Sequence, residues 1–250
     1  MTYTETTIEN GIATLTIDRA DRHNSLSPPL LEEVRDAISA VSEDASVRVV
    51  VLQTAGQSFS TGGDVAAFYE HRENIAEYAD RTVGLLNEVI VALLRTPQPV
   101  VAAVDGQVTG GSLGLVLASD VVVMTEAAEI TPYYSVVGYS PDGGWTALLP
   151  DVIGQKRTMR VLSTNETIAP EQAVRWGLAS ELADSGEAHD RSQSVARRIA
   201  TMKWGTLERT KRLVGPDPDE VAEALETERR EFVEQIQTDE ALDGMREFLE

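Results

Sequence analysis

Pro99-Val100-Val101-Ala102-Ala103-Val104-Asp105-Gly106 is the stretch that decides the fold. Its apolar run is short and rich in valine, which is typical of a strand buried on both faces of a parallel sheet. The glycine-rich turn 106–114 follows and leads into the apolar segment 115–118. A helix that begins after such a turn starts with free backbone N–H groups and a partial positive charge.

A second segment of the same design lies earlier in the chain. The valine-rich run 47–53 is followed by the glycine- and serine-rich loop 56–64, and a polar helix is predicted after it. Glycine lets a ligand approach the backbone closely, so two such turns side by side would bind a developing oxyanion without a charged side chain. Each turn taken alone is more typical of an ordinary connection between a strand and a helix.

Strands and helices alternate over the earlier part of the chain, and the remainder is helical apart from an interruption at 215–218. This order predicts an α/β fold class. We expect residues 1–190 to form the catalytic core and residues 191–250 to form a helical C-terminal region. Within the core, a helix is predicted to start near Trp145.

The composition excludes several classes of function. The chain has 250 residues and a formal net charge of -20. It contains no cysteine, which excludes disulfides, thiolate metal sites and a cysteine nucleophile. So acidic a surface repels nucleic acid. No secretory signal and no apolar run long enough to cross a bilayer are visible, so we expect a cytoplasmic protein without a membrane partner. The acidic, lysine-poor composition also resembles that of proteins from salt-loving archaea, with an ordinary acidic cytosolic protein as the alternative.

Other chemistry-bearing motifs find little support. No phosphate-binding loop and no dinucleotide-binding glycine pattern follow a strand. Gly110-x-Ser112-x-Gly114 matches the nucleophile pattern of serine hydrolases, but the only downstream histidine is His189, in a polar segment. No pair of histidines stands at helical spacing, so we predict no metal site.

Four motifs in the same order resemble those of the crotonase superfamily, also called the enoyl-CoA hydratase/isomerase family. The resemblance is specific because the motifs agree in order and spacing over nearly the whole chain. The central signature is segment 99–106 with Gly110-Gly111-Ser112 and Ala118-Ser119-Asp120. The other three are Asp18-Arg19 with Arg22-His23-Asn24-Ser25-Leu26, Phe59-Ser60-Thr61-Gly62-Gly63-Asp64, and Ala173-Val174-Arg175-Trp176-Gly177-Leu178.

The resemblance implies a spiral β/β/α core with a helical tail that forms trimers, often as a dimer of trimers. It implies coenzyme A thioesters as substrates, with coenzyme A arriving as part of the substrate and no permanently bound cofactor. By motif position, the N–H groups of Gly63 and Gly111 would form the oxyanion hole. The residues expected along the coenzyme A path are Arg22, His23, Ser25, Phe59, Thr61 and Asp64.

The choice of reaction depends on carboxylates. Hydratases of this family use two glutamates, and the matching positions here are Gly114 and either Tyr133 or Tyr134. These tyrosines would face the acyl group or pack in the core. Asp142, in Pro141-Asp142-Gly143-Gly144, matches a position that carries the catalytic acid in several isomerases of the family.

One carboxylate beside a stabilised enolate is enough to move a proton between the α and γ carbons of an acyl group. We therefore expect an enoyl-CoA isomerase with Asp142 as the catalytic acid and base. An enoyl-CoA hydratase is the enzymatic alternative, and a catalytically inactive acyl-CoA-binding oligomeric subunit is the alternative of another class. Asp142 could also act as the N-cap of the helix predicted near Trp145.

Overall fold

The computed structural model describes residues 2–250, which form two sheets flanked by helices. The strands are β1 (Thr4–Glu9), β2 (Ile12–Ile17), β3 (Val49–Thr54), β4 (Val100–Val104), β5 (Gln107–Thr109), β6 (Val121–Thr125), β7 (Glu129–Thr131) and β8 (Glu181–Ala183). The larger sheet has the order β1-β2-β3-β4-β6-β8, in which only the β1–β2 pair is antiparallel. The smaller sheet is the parallel pair β5–β7.

The helices surround the larger sheet and continue to the C-terminus. They are α1 (Pro28–Glu43), α2 (Val65–Glu70), α3 (Ile75–Arg95), α4 (Leu113–Leu117), α5 (Tyr134–Val137), α6 (Leu149–Ile153), α7 (Gln155–Thr164), α8 (Pro170–Trp176), α9 (Ala188–Ala200), α10 (Trp204–Val214), α11 (Pro218–Gln235) and α12 (Asp239–Leu249). Within residues 2–250, no helix combines the length and the apolar character needed to traverse a bilayer. The predicted α/β fold class is confirmed.

The strands of the larger sheet are apolar because both faces are covered. Every side chain of β4 is fully buried. Alternate residues of β3 face opposite sides, as strand geometry requires. Val50 and Leu52 belong to the main core, whereas Val49 and Val51 pack with Ala196 of α9. The prediction of a doubly covered sheet from the valine-rich runs is therefore correct.

The two glycine-rich turns lie against each other. A Cβ atom on Gly62 would be 2.5 Å from the carbonyl oxygen of Thr109, and Gly62 has a φ angle of +71°, so this position requires glycine. The hydroxyl of Ser112 donates to the carbonyl oxygen of Ser60 at 3.1 Å. The N–H of Thr109 donates to the same oxygen at 3.0 Å. These direct bonds fix the position of one turn relative to the other.

The segment that carries Asp142 differs from the prediction. Residues 143–148 form successive turns, and the helix that follows, α6, begins at Leu149 rather than near Trp145. Gly143 and Gly144 have φ angles of +62° and +87°, which are incompatible with the start of a right-handed helix. Asp142 is consequently not the N-cap of a helix, and its side chain is free for another role.

Candidate active site

Two backbone N–H groups stand unpaired beside one cavity. Within residues 2–250, the N–H groups of Gly63 and Gly111 donate no hydrogen bond to the protein. Gly63 comes from the turn before α2, and Gly111 from the turn before α4. Both residues line the same cavity. Backbone donors held in place in this way are the means by which proteins stabilise a developing oxyanion.

The cavity has a volume of about 160 Å³ and mostly apolar walls. Val83 and Leu86 of α3 form one side. Phe68, Tyr139 and Phe232 form an aromatic cluster at the wall, with ring centroids 5.3 to 6.0 Å apart. Such walls exclude water, so a hydrogen bond to a bound carbonyl inside the cavity is stronger than the same bond in water.

Asp142 is the one carboxylate that lines this cavity in the described part of the chain. Its two oxygens lie 3.0 and 3.1 Å from the position that a Cβ atom on Gly111 would occupy. The side chain is 6% exposed, and its Oδ1 accepts a hydrogen bond of 2.6 Å from the hydroxyl of Tyr134. Burial raises the pKa of Asp142 to about 7, and the hydrogen bond from Tyr134 acts in the opposite direction. A carboxyl group with this pKa gives and takes protons readily near neutral pH.

The loop around Asp142 is held from two sides. Trp145 is fully buried, and its indole N–H donates to the carbonyl oxygen of Gly110 at 2.7 Å. From α11, the Glu228 carboxylate accepts hydrogen bonds from the N–H groups of Gly144, Thr146 and Ala147. It also accepts one from the Thr146 hydroxyl at 2.7 Å. The loop is therefore tied both to the second glycine-rich turn and to the C-terminal region.

Gly114 has no room for a side chain. A Cβ atom there would be 2.7 Å from the carbonyl oxygen of Gly143 and would overlap the δ-methyl group of Ile90. The position is fully enclosed inside α4. A glutamate at this position is thus incompatible with the packing as well as absent from the sequence.

Comparisons with known proteins show the family of this chain. The family model described as enoyl-CoA hydratase/isomerase matches residues 7–250. The chain belongs to this family. The resemblance to this family stated from the four motifs is confirmed by this match.

Relatives within the enoyl-CoA hydratase/isomerase family bear names for different reactions. The chain is 37% identical over 210 residues to the "Probable enoyl-CoA hydratase EchA12" of Mycobacterium tuberculosis, covering 80% of this chain and 72% of that one. It is 30% identical over 195 residues to the 1,2-epoxyphenylacetyl-CoA isomerase of Escherichia coli, covering 78% and 74%. The crystal structure of an enoyl-CoA hydratase from Bacillus halodurans matches this structure with a TM-score of 0.91, covering 98% of this chain and 99% of that one. Its sequence is 24% identical, so this match shows the fold alone.

The first-loop residues of this family member form a polar cluster next to the cavity. Asp64 is 6% exposed, pairs with Arg19 at 2.9 Å and accepts the N–H of Ala67 at the start of α2. Ser25 is also buried, with its hydroxyl 2.8 Å from the Arg19 guanidinium. Arg22 is half exposed and lies 3.6 Å from Asp64. Asp64 therefore fixes the first loop against α2, which is a role that the sequence did not indicate.

The remaining predicted ligand contacts divide between the cavity wall and the core. Thr61 lines the cavity, whereas Phe59 is fully buried outside it. His23 is exposed and has a φ angle of +53°, with its Nδ1 3.4 Å from the Ser58 hydroxyl. Of the set expected along the coenzyme A path, Thr61 thus reaches the cavity, and Arg22 and His23 are exposed beside the first turn.

Tyr133 and Tyr134 both line the cavity but differ in their surroundings. Tyr133 is 37% exposed, has a φ angle of +62° and packs edge-on against Phe248 of α12. Tyr134 is buried, and its hydroxyl donates a hydrogen bond to Asp142. Burial and the neighbouring Asp142 charge raise the pKa of Tyr134 well above the ordinary value. Tyr134 is therefore neutral and a hydrogen-bond donor at all physiological pH values.

The geometry does not fit a serine hydrolase. The Ser112 hydroxyl is fully buried and donates to the carbonyl oxygens of Thr109 and Ser60. His189 is an exposed residue of α9 and is not a partner of Ser112. No group of three metal-ligating side chains that could hold an ion occurs within residues 2–250.

Glu228 is the buried neighbour of the Asp142 loop that reasoning from the sequence missed. It belongs to the buried stripe of α11, with Val221, Leu225 and Phe232. A glutamate at an apolar position of an amphipathic helix was the available signal, because a carboxylate there must find hydrogen-bond donors in the core. Its partners lie more than 80 residues away and could not be identified from the pattern.

Proposed function

We propose that the protein is an enoyl-CoA isomerase that moves a double bond between the 3 and 2 positions of an acyl-CoA thioester. The thioester carbonyl binds to the N–H groups of Gly63 and Gly111. Asp142 removes a proton from the α carbon, and the carbonyl oxygen takes up the negative charge as a dienolate. The same carboxyl group then returns the proton to the γ carbon, which places the double bond between the α and β carbons.

The single observation that carries this proposal is the placement of Asp142 in the cavity wall. Its carboxylate is about 3 Å from the Cβ position of Gly111, whose N–H group would bind the carbonyl oxygen. An α carbon bonded to that carbonyl carbon comes within reach of the carboxylate. With a pKa of about 7, Asp142 is partly ionised at neutral pH and serves as base in one step and acid in the next.

The oxyanion hole contributes the largest part of the expected acceleration. Removal of one such donor typically costs about 3 kcal/mol of transition-state stabilisation. Here the donors come from two turns that hydrogen-bond to each other, so neither has to move when the negative charge develops. The coenzyme A moiety would leave the cavity past Thr61 towards the exposed side chains of Arg22 and His23.

A hydratase is the second candidate because the relative with 37% identity carries that name. In this site one carboxyl group would have to deprotonate water and also protonate the α carbon. Gly114 occupies one of the two positions that carry glutamate in hydratases of the family. The space that its side chain would need is taken by Ile90 and the backbone of Gly143. Hydration is therefore expected to be slow relative to isomerisation.

Incubation with 3-enoyl-CoA and, separately, with 2-enoyl-CoA distinguishes the candidates. An isomerase interconverts them without a change of mass and changes the ultraviolet absorbance of the conjugated thioester. A hydratase adds the mass of one water. We expect Asp142→Asn to lower the isomerisation rate by about 10²- to 10⁴-fold. Full activity in that variant would refute the assigned role, and acyl-CoA binding without turnover would identify a binding subunit.

A further inference from the structure

Glu228 is a buried carboxylate whose side-chain hydrogen bonds, within residues 2–250, all come from one loop. It is 4% exposed and lies on α11, yet its side chain accepts hydrogen bonds of 2.7 to 2.8 Å from residues 144–147. Four donors converge on two oxygens. All four groups donate, so these hydrogen bonds favour the ionised carboxylate, whereas burial has the larger effect and raises the pKa of Glu228 above its ordinary value.

The loop that Glu228 holds is the one that carries Asp142. Gly144 follows Asp142 by two residues, and its N–H is 2.8 Å from Oε2 of Glu228. The preceding glycine, Gly143, packs so closely on Gly111 that a Cβ atom would be 2.5 Å from the Gly111 Cα atom. A displacement at one end of the loop is therefore transmitted to the carboxylate and to the oxyanion turn.

We propose that Glu228 is a positioning residue of the active site: it holds the Asp142 loop against Gly111 at the distance that proton transfer requires. The proposal rests on the function proposed above. It goes further by giving α11, a helix of the C-terminal region, a part in catalysis without any contact to substrate. A shift of about 1 Å in a reacting group can reduce a rate by about 100-fold, so positioning by four hydrogen bonds has a measurable effect.

The Glu228 charge gives the proposal a second readout. Asp142 faces three titratable groups, namely Tyr134, Tyr139 and Glu228. The tyrosines stay neutral because burial raises the pKa of each. The negative charge of Glu228 raises the pKa of Asp142. Removal of that charge should thus lower the pH at which Asp142 ionises.

The experiment compares Glu228→Gln, which removes the charge at nearly constant size, with Glu228→Asp, which keeps the charge but shortens the side chain. Glu231→Gln is the matched control, since Glu231 is an exposed glutamate one turn further along α11. Isomerisation of 3-enoyl-CoA by each purified full-length variant is measured from pH 5.5 to 9, and folding is checked by urea unfolding.

We expect Glu228→Gln to lower kcat by about 10-fold or more while KM changes by less than about 2-fold. Its acid limb should move to lower pH by about half a unit. Glu228→Asp should also lose kcat but keep the acid limb of the parent, and Glu231→Gln should change neither. Folded Glu228→Gln with the kcat and acid limb of the parent would overturn the proposal. If Glu228→Gln does not fold, unaltered kcat in Glu228→Asp would overturn it.

The test remains decisive if the protein does not isomerise enoyl-CoA. The pH dependence of unfolding can be compared between each Glu228 variant and the same variant carrying Asp142→Asn. The difference reports the ionisation of Asp142 without any substrate. A lowered pH of ionisation in Glu228→Gln would then support the coupling of the two carboxylates, although the proposed reaction had failed. An unchanged value would refute the coupling.

Discussion

Replacement of Asp142 by asparagine removes a buried charge and leaves the shape of the side chain almost unchanged. The parent carboxylate is 6% exposed and accepts the Tyr134 hydroxyl at 2.6 Å, and the amide oxygen of asparagine can accept the same bond. The variant therefore isolates the energetic effect of ionisation at this position. Burial raises the pKa of Asp142 from 3.8 to about 7, so Asp142 holds its proton more strongly in the folded protein than in the unfolded chain.

The direction of the stability change follows from proton binding. Between pH 3.8 and 7 the folded protein binds more protons at this site than the unfolded chain, so its stability falls as the pH rises through that range. The pKa difference corresponds to about 4 kcal/mol above pH 7. Asparagine does not ionise. Asp142→Asn should thus stabilise the protein by about 4 kcal/mol at pH 8 and by about half of that at pH 5.5.

Urea unfolding at one fixed protein concentration, at pH 5.5 and pH 8, measures both values. Asp184→Asn is the matched control because Asp184 is exposed and has no side-chain hydrogen bond within residues 2–250. This control variant should change the free energy of unfolding by less than about 0.5 kcal/mol at either pH. Equal unfolding free energies of Asp142→Asn and the parent at pH 8 would show that Asp142 ionises normally. In that case the physical basis for its role as a proton carrier at neutral pH would be lost.

Three further variants test separate parts of the site. Tyr134→Phe removes the hydrogen bond that favours ionised Asp142, so the acid limb of the isomerisation rate should move to higher pH. This shift is opposite to the one expected for the loss of the Glu228 charge. A shift to lower pH would contradict the assignment of the acid limb to Asp142. Gly114→Glu must displace the Ile90 side chain and should destabilise the protein by about 3 kcal/mol or more in urea unfolding. The variant should not gain the ability to hydrate 2-enoyl-CoA. A stable variant that hydrates this substrate would refute the steric argument. Gly111→Ala places a methyl group about 3 Å from the Asp142 oxygens and should displace this carboxylate, which would lower kcat by about 10-fold or more in the ultraviolet assay. An unchanged kcat would show that the reaction does not depend on the carboxylate position seen beside Gly111.

The larger sheet could be predicted from the sequence because its information is local. β3 begins with three valines and a leucine, and β4 consists of valine and alanine, as is typical of strands that are covered on both faces. The turns that follow could be recognised because a positive φ angle, as at Gly62, selects glycine. The start of α6 could not be located in the same way. Gly143 and Gly144 adopt left-handed conformations through contacts with Gly111 and Glu228, which are distant in the chain.

The candidate site was predictable only in part for the same reason. Gly63, Gly111 and Asp142 lie in short segments with distinctive residues, and the structure places them around one cavity. The partner of Asp64 is Arg19 and the partner of the Asp142 loop is Glu228, and neither pairing follows from spacing or periodicity. Ion pairs and buried carboxylates join segments whose separation is set by the whole fold, so they appear only when the fold is known.

Burial has two effects on the proposed reaction, and they act in the same direction. An ionised Asp142 in the apolar cavity is a stronger base than an aspartate in water because its pKa is raised. As Asp142 takes the proton from the α carbon, its negative charge disappears and an equal charge forms on the carbonyl oxygen at Gly63 and Gly111. The total charge in the cavity stays constant. The charge therefore passes from a position where burial disfavours it to one where two backbone donors favour it. The same desolvation that destabilises the folded protein at pH 8 then lowers the barrier to enolate formation, so the stability gained by Asp142→Asn and the activity lost by it should have one physical origin.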